Sequence, residues 1–167
     1  MDEKDIILNK ENIEIVKIGD PILRKKAKPV DHLGSEIDDI VHAMFKSMKD
    51  NNGIGLAAPQ IGLSLKIITV GLDEFQISLI NPVIAAVSKE TEELEEGCLS
   101  VPDVSLTIKR PEIVLVNGYT PRGDKVSLEV DGLVGRVIQH EIDHLDGILI
   151  VDRASPEEVK EVMKKKS

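Results

Sequence analysis

The stretch DGLVGRVIQHEIDHLDG, residues 131–147, decides how the chain is read. Leu133, Val134, Val137, Ile138, Ile142 and Leu145 recur at three-and-four spacing, which predicts a helix from Asp131 to about Asp146 with one apolar stripe. Gly147 is its stop. His140 and His144 stand four residues apart and so stack on one helical face, the spacing at which two imidazoles hold one metal ion. Glu141 lies about 100° round from His140 and reaches a water on such an ion without ligating it.

Working outward, Ile37, Ile40, Val41, Met44, Phe45 and Met48 predict a second amphipathic helix from Ser35 to Lys49, with Ser35 as its cap and Asn51-Asn52-Gly53 as its end. Short strands are expected at Leu65 to Val70, Ile77 to Leu79, Val83 to Val87, Glu112 to Asn117 and Lys125 to Val130. Turns fall at Asn81-Pro82, Gly118 and Arg122-Gly123-Asp124, and the strands starting at Leu65 and Val83 are expected to be buried. Asp20-Pro21 opens a short helical turn. After the 131–146 helix come a last strand and a helix from Pro156, capped by a Ser155 and Glu158 box and ending at Lys164-Lys165-Lys166. That order predicts an α+β fold with helices on a largely antiparallel sheet system. Residues 1–12 are polar and read as a loose arm, and 13–167 as a single domain.

At 167 residues, 41% apolar and 31% charged, the chain is long enough for a real core and too ordered in composition for wholesale disorder. Lys plus Arg number 21 against 30 Asp plus Glu, a net charge of −9 that argues against unassisted binding to DNA, RNA or an anionic membrane. With Phe45, Phe75 and Tyr119 the only aromatics, base-stacking platforms are missing. Apolar runs such as Ile148 to Val151 are far too short to span a membrane. The acidic start carries no secretory or transit pattern, so a bacterial-type cytoplasm is expected, a processed organellar form being the alternative. Cys98 is the only cysteine, which forbids an intrachain disulfide and suits a reducing compartment.

A third metal ligand has two candidate sources. Downstream there is no histidine, only Glu157, Glu158 and Glu161 on the last helix. Upstream stands Cys98 in EEGCLSVP, residues 95–102. A Cys, His, His set suits Zn²⁺ or Fe²⁺ and leaves the fourth position to water, the mark of a catalytic site. A further stretch, GIGLAAPQIG at 53–62, lets backbone approach a ligand closely, yet lacks the lysine and third glycine of phosphate-binding loops. Its Gln60 can donate to an oxyanion if the fold brings it to the metal.

Together these stretches resemble the peptide deformylase family, whose motifs have the forms GΦGΦAAxQ, EGCLS and QHExDH, Φ being apolar. The resemblance runs from about Ile15 onward and includes GDPILR at 19–24. It implies an α+β fold with the HExxH helix at its centre, and removal of the formyl group from the N-terminal formyl-methionine of new polypeptides. Position by position, it implies Cys98, His140 and His144 as metal ligands, Glu141 as general base and acid, and Gln60 with the Leu99 N–H as oxyanion donors. The ion it implies is Fe²⁺, with Zn²⁺, Ni²⁺ or Co²⁺ accepted. By the same analogy the peptide lies beside Gly55 and the strand before Cys98, Gly97 included. The methionine pocket it implies uses Ile54, Leu94, Leu133, Val137 and the His140 helix face, with Arg136 at its rim.

Arg136 reads first as solvated and second as a peptide contact. Ser105 stands where many members carry a larger side chain, and Asp143 reads either as a support for the ligands or as a surface pair. A Glu96–Arg110 ion pair is expected to orient the Cys98 strand. The basic C-terminal end reads first as a solvated helix terminus and second as a contact to ribosomal RNA. Two other readings stay open: a zinc endopeptidase with a downstream ligand, and a non-catalytic metal or peptide-binding module with no use for Glu141.

Overall fold

The computed structural model describes residues 2–166; Met1 and Ser167, the outermost residues of the expected arm and domain, lie outside the described residues. In chain order the elements are α1 (Glu3–Leu8), α2 (Ser35–Asp50), β1 (Gly55–Ala57), β2 (Ile67–Leu72), β3 (Phe75–Val87), β4 (Thr91–Cys98), β5 (Val101–Pro111), β6 (Val114–Tyr119), β7 (Lys125–Val130), α3 (Gly132–Leu145), α4 (Ile150–Arg153) and α5 (Pro156–Lys166). A five-stranded antiparallel sheet runs β1-β2-β3-β6-β7, and β4-β5 form a separate antiparallel hairpin. The fold is α+β, as the sequence predicts.

Three apolar clusters hold these layers. The first packs α2 against β1 and the segment around Ile61 to Ile67. The second lies between α3 and the large sheet, where Val137, Ile138, Ile142 and Leu145 meet Ile68, Val70, Leu79, Val114 and Val116. The third seats Val104, Leu106 and Ile108 of β5 on α4 and α5. The helix α3 therefore has the sheet on its apolar face, while its polar face turns to the β4-β5 hairpin.

Several local expectations are corrected. Residues 3–8 of the expected loose arm form α1, because Ile7 finds a buried place in the α2 cluster. The N-cap of α2 is Gly34, not Ser35, which already lies inside the helix. The turn expected at Asn81-Pro82 is a bulge inside one continuous strand, β3: Asn81 takes φ 51° and the pairing with β6 shifts there. The Val83 half of that strand is largely exposed, Val83 at 58% and Val87 at 55%. Gly118 lies within β6.

The last strand expected before the C-terminal helix is the single turn α4. At α5 the Ser155 hydroxyl accepts from the Glu158 N–H, but the Glu158 carboxylate does not complete the box; it accepts from the Thr107 N–H of β5 at 2.9 Å. Among the described residues no helix is long and apolar enough to cross a membrane.

Candidate active site

The polar face of α3 carries His140, Glu141 and His144, and β4 ends against it at Cys98. Cys98 Sγ and His144 Nε2 are 3.3 Å apart, and one donor atom from each of Cys98, His140 and His144 falls within 4.8 Å of the others. Bonds of about 2.0–2.3 Å to a tetrahedral ion place its ligand atoms roughly 3.5 Å from one another. One thiol and two imidazoles at these separations fit a divalent ion and leave a coordination position open. Among the described residues this is the one such cluster, and Glu157, Glu158 and Glu161 take no part in it. The downstream ligand required by an endopeptidase is not supplied.

A charged network orients the set. His140 Nδ1 lies 2.9 Å from Glu96 Oε1, which leaves Nε2 to face the site. Glu96 in turn accepts from Arg110 Nε at 2.6 Å and Nη2 at 3.0 Å, and from Arg136 Nη1 at 2.7 Å. The expected Glu96–Arg110 pair is thus present. Arg110 also donates to Asp143 at 2.9 Å, and Asp143 accepts from Arg153 at 2.7 Å, so Asp143 is buried in the network and is no surface pair.

Arg136, read first as solvated, is only 6% exposed, because its guanidinium is satisfied by Glu96 and by the carbonyls of Glu92 and Ile108. Burial works to raise the Glu96 carboxyl, but its bonds to His140 and Arg110 win and hold it at about 2.

Burial pushes the Glu141 carboxyl up to about 7, against the lowering influence of the His140 and Arg110 charges. Its Oε2 has no hydrogen-bond partner among the described residues. Burial acts to lower His140, yet its contacts with Cys98 and Glu96 and the Glu141 charge raise it to about 10. His144 goes the other way, driven well down by burial and then by the His140 charge.

Opposite α3, Gln60 Oε1 accepts from the Ala57 N–H at 2.9 Å, and this fixes Nε2 toward Ser100 Oγ at 3.1 Å and Cys98 Sγ at 3.8 Å. Backbone bonds from Val16 N–H to the Gln60 carbonyl and from Ile18 N–H to the Ser100 carbonyl stitch these two segments together. Between them, Lys17 Nζ donates to the Leu99 carbonyl at 3.1 Å. Gly55 lies so close to α3 that a Cβ there would stand 2.6 Å from Val137 Cγ1 and 3.1 Å from Glu141 Oε1.

A cleft of about 790 Å³ opens over these residues. Ile54, Gly55, Gly97, Leu133, Arg136 and Val137 line it, as do Gln60, Cys98, Leu99, Ser105, His140 and Glu141. Leu94 does not; the wall starts one residue later, at Glu95, leaving Leu94 beyond the rim and 43% exposed. Lys17 and Ser100 were not among the expected site residues, and only the i to i+4 spacing of Arg136 and His140 hinted that Arg136 joins the same face.

The polypeptide deformylase family profile matches residues 13–160. The chain belongs to the peptide deformylase family. A relative named peptide deformylase from Dictyoglomus turgidum is 48% identical over 145 residues, covering 87% of this chain and 94% of its own length. The crystal structure of a peptide deformylase from Synechococcus elongatus, in complex with actinonin, superposes with a TM-score of 0.90 at 40% identity over 95% of this chain and 87% of that one. That of the Thermotoga maritima peptide deformylase gives 0.85 at 40% identity over 88% and 100%. Membership in this family makes the chain a deformylase of N-terminal formyl-methionine, and the family is metal-dependent.

Proposed function

We propose that the chain hydrolyses the formyl amide with Glu141 as general base and acid, on a divalent ion held by Cys98, His140 and His144. The observation that carries this reading is the buried Glu141 carboxylate, whose Oε2 is unpaired beside three metal-type donors and under a cleft. A bound ion would polarise the formyl carbonyl and make water acidic enough to lose a proton near neutral pH. Glu141 takes that proton as the water attacks the formyl carbon, then delivers it to the departing amine. Its pKa, raised by burial, suits a group that must both accept and release a proton near pH 7. Gln60 Nε2 and the Leu99 N–H donate to the oxygen that gains negative charge.

The cleft supports placing the methionine side chain among Ile54, Leu133 and Val137, with the peptide extended along Gly55 and Gly97. Formyl is the smallest acyl group, so a tight floor between Gly55 and Glu141 admits it and excludes larger ones. We read residues 13–167 as one hydrolase domain working on nascent chains in a bacterial-type cytoplasm, with Fe²⁺ as the first candidate ion.

The test is formate release from a formyl-methionyl peptide by anaerobically purified protein, with metal content assayed in parallel. Glu141→Gln is expected to lower turnover by about 10²–10⁴-fold at equal metal loading. Turnover that survives the substitution would remove Glu141 from the chemistry; no release from well-metallated wild type would overturn the whole reading.

A further inference from the structure

We infer that Arg136 is a positioning residue: it locks the Glu96 carboxylate against His140 and thereby registers the β4-β5 hairpin to the metal-binding face of α3. The inference rests on the reading that Cys98, His140 and His144 hold the ion.

A carboxylate offers about four lone-pair sites, and those of Glu96 are all used. Oε1 meets His140 Nδ1 and Arg110 Nη2, while Oε2 meets Arg110 Nε and Arg136 Nη1. The two arginines hold it from different sides. Arg110 comes from β5, the same hairpin as Glu96 itself, and reaches α3 only beyond His140, at Asp143. Arg136 comes from α3, one helical turn before His140, and fastens Glu96 to the helix that carries the ligand.

The rest of the guanidinium makes the same link. It donates to the Glu92 carbonyl of β4 at 2.7 Å and to the Ile108 carbonyl of β5 at 3.0 Å, so one side chain ties both strands of the hairpin to α3. Since Cys98 ends β4 and His140 lies on α3, this tie sets the distance between two ligands. Although Arg136 lines the cleft, its charge is spent on Glu96 and two carbonyls, and what remains for substrate is its aliphatic stem.

The experiment follows Zn²⁺ release from loaded protein to a chelating dye, beside kcat/KM on formyl-methionyl peptides with Glu or Lys as the second residue. Arg136→Met keeps the stem and removes the donors; Arg136→Lys keeps the charge but loses the planar fork. The Met variant is expected to release Zn²⁺ about tenfold faster, with the Lys variant between it and wild type. Its loss of kcat/KM should be equal on the two peptides. In a Glu96→Gln background, Arg136→Met should change release by clearly less than it does in wild type, because the part that acts through Glu96 is already lost and only the bonds to the two carbonyls remain.

Unchanged Zn²⁺ release in both variants, even with a lowered melting temperature, would reduce Arg136 to a structural residue and overturn the inference. So would a loss confined to the acidic peptide, which marks direct substrate contact, or a full effect in the Glu96→Gln background. If the Met variant fails to fold, release from the Lys variant decides. Wild type separates the two levels: normal Zn²⁺ retention and turnover with insensitive variants sinks only Arg136, whereas wild type that takes up no Zn²⁺ sinks the metal reading and the inference with it.

Discussion

At Gly55 a single methyl group decides whether Glu141 can keep its place. The Cβ of an alanine would sit 2.6 Å from Val137 Cγ1, and a β-branched side chain on a helix has no second rotamer to retreat into. Either β1 backs away or α3 shifts, and in both cases the seat of Glu141 against Gly55 changes. Gly55→Ala is expected to cost about 1–3 kcal/mol of stability by urea unfolding and at least about tenfold in kcat for formate release. Adding Val137→Ala should restore part of both; a single variant with wild-type kcat would show that the approach of β1 to α3 is not what holds the carboxylate. His140, Glu141 and His144 were legible because their relation is local, three residues on one turn. The place of Arg136 was not, since its burial depends on Glu96 and on carbonyls 28 and 44 residues away in the chain.

Among the elements, β3 shows how a turn signal can be overruled by tertiary pairing. Asn-Pro reads as a break, yet Asn81 adopts φ 51° and its side chain bonds both ways with the Val30 backbone, donating to the carbonyl at 3.0 Å and accepting from the N–H at 2.8 Å. Its amide stands in for a strand, and β3 continues past it. Asn81→Ala loses both bonds and strains the left-handed backbone, an expected cost of about 2–3 kcal/mol in urea unfolding. Asn81→Gly keeps the backbone relaxed and should cost less, and neither should alter turnover of folded enzyme, because Asn81 does not line the cleft. An Ala variant as stable as wild type would assign the continuity of β3 to its β6 pairing alone. The long helices were readable from apolar periodicity. The hairpin was not among the expected strands: Val104, Leu106 and Ile108 do alternate with exposed residues on β5, which is anchored on α4 and α5, but β4 reads TEELEEGC, with four glutamates in eight residues and no apolar alternation.

For the whole molecule, the Glu96 network is the joint between the hairpin and the layer of α3 on the large sheet, and its charges set how stability depends on pH. Glu96 is held at about 2 in the folded protein against an ordinary value of 4.5. A carboxyl lowered on folding contributes fully above pH 4.5 and loses that contribution as pH falls from about 4.5 to 2, a difference of about 3 kcal/mol. Glu141 has the opposite sign. Raised by burial to about 7, it costs stability progressively as pH rises from about 4.5 to 7, because the unfolded chain releases its proton first.

Urea unfolding of chelator-treated protein across pH 2.5 to 8 should therefore show an acid limb below about 4.5 carried by Glu96, and above it a limb to which Glu141 contributes beside the raised His140 and the lowered His144. Glu96→Gln is expected to lower stability at neutral pH and flatten the acid limb. Glu141→Gln is expected to leave the acid limb in place and raise stability near pH 7. Should Glu96→Gln keep the full acid limb, acid unfolding would have to be assigned to other carboxylates, with Asp143 and its two arginines the next pair of contacts to break. Should the Glu141 variant gain nothing at pH 7, the site would not be storing the folding energy that a buried, unpaired carboxylate requires.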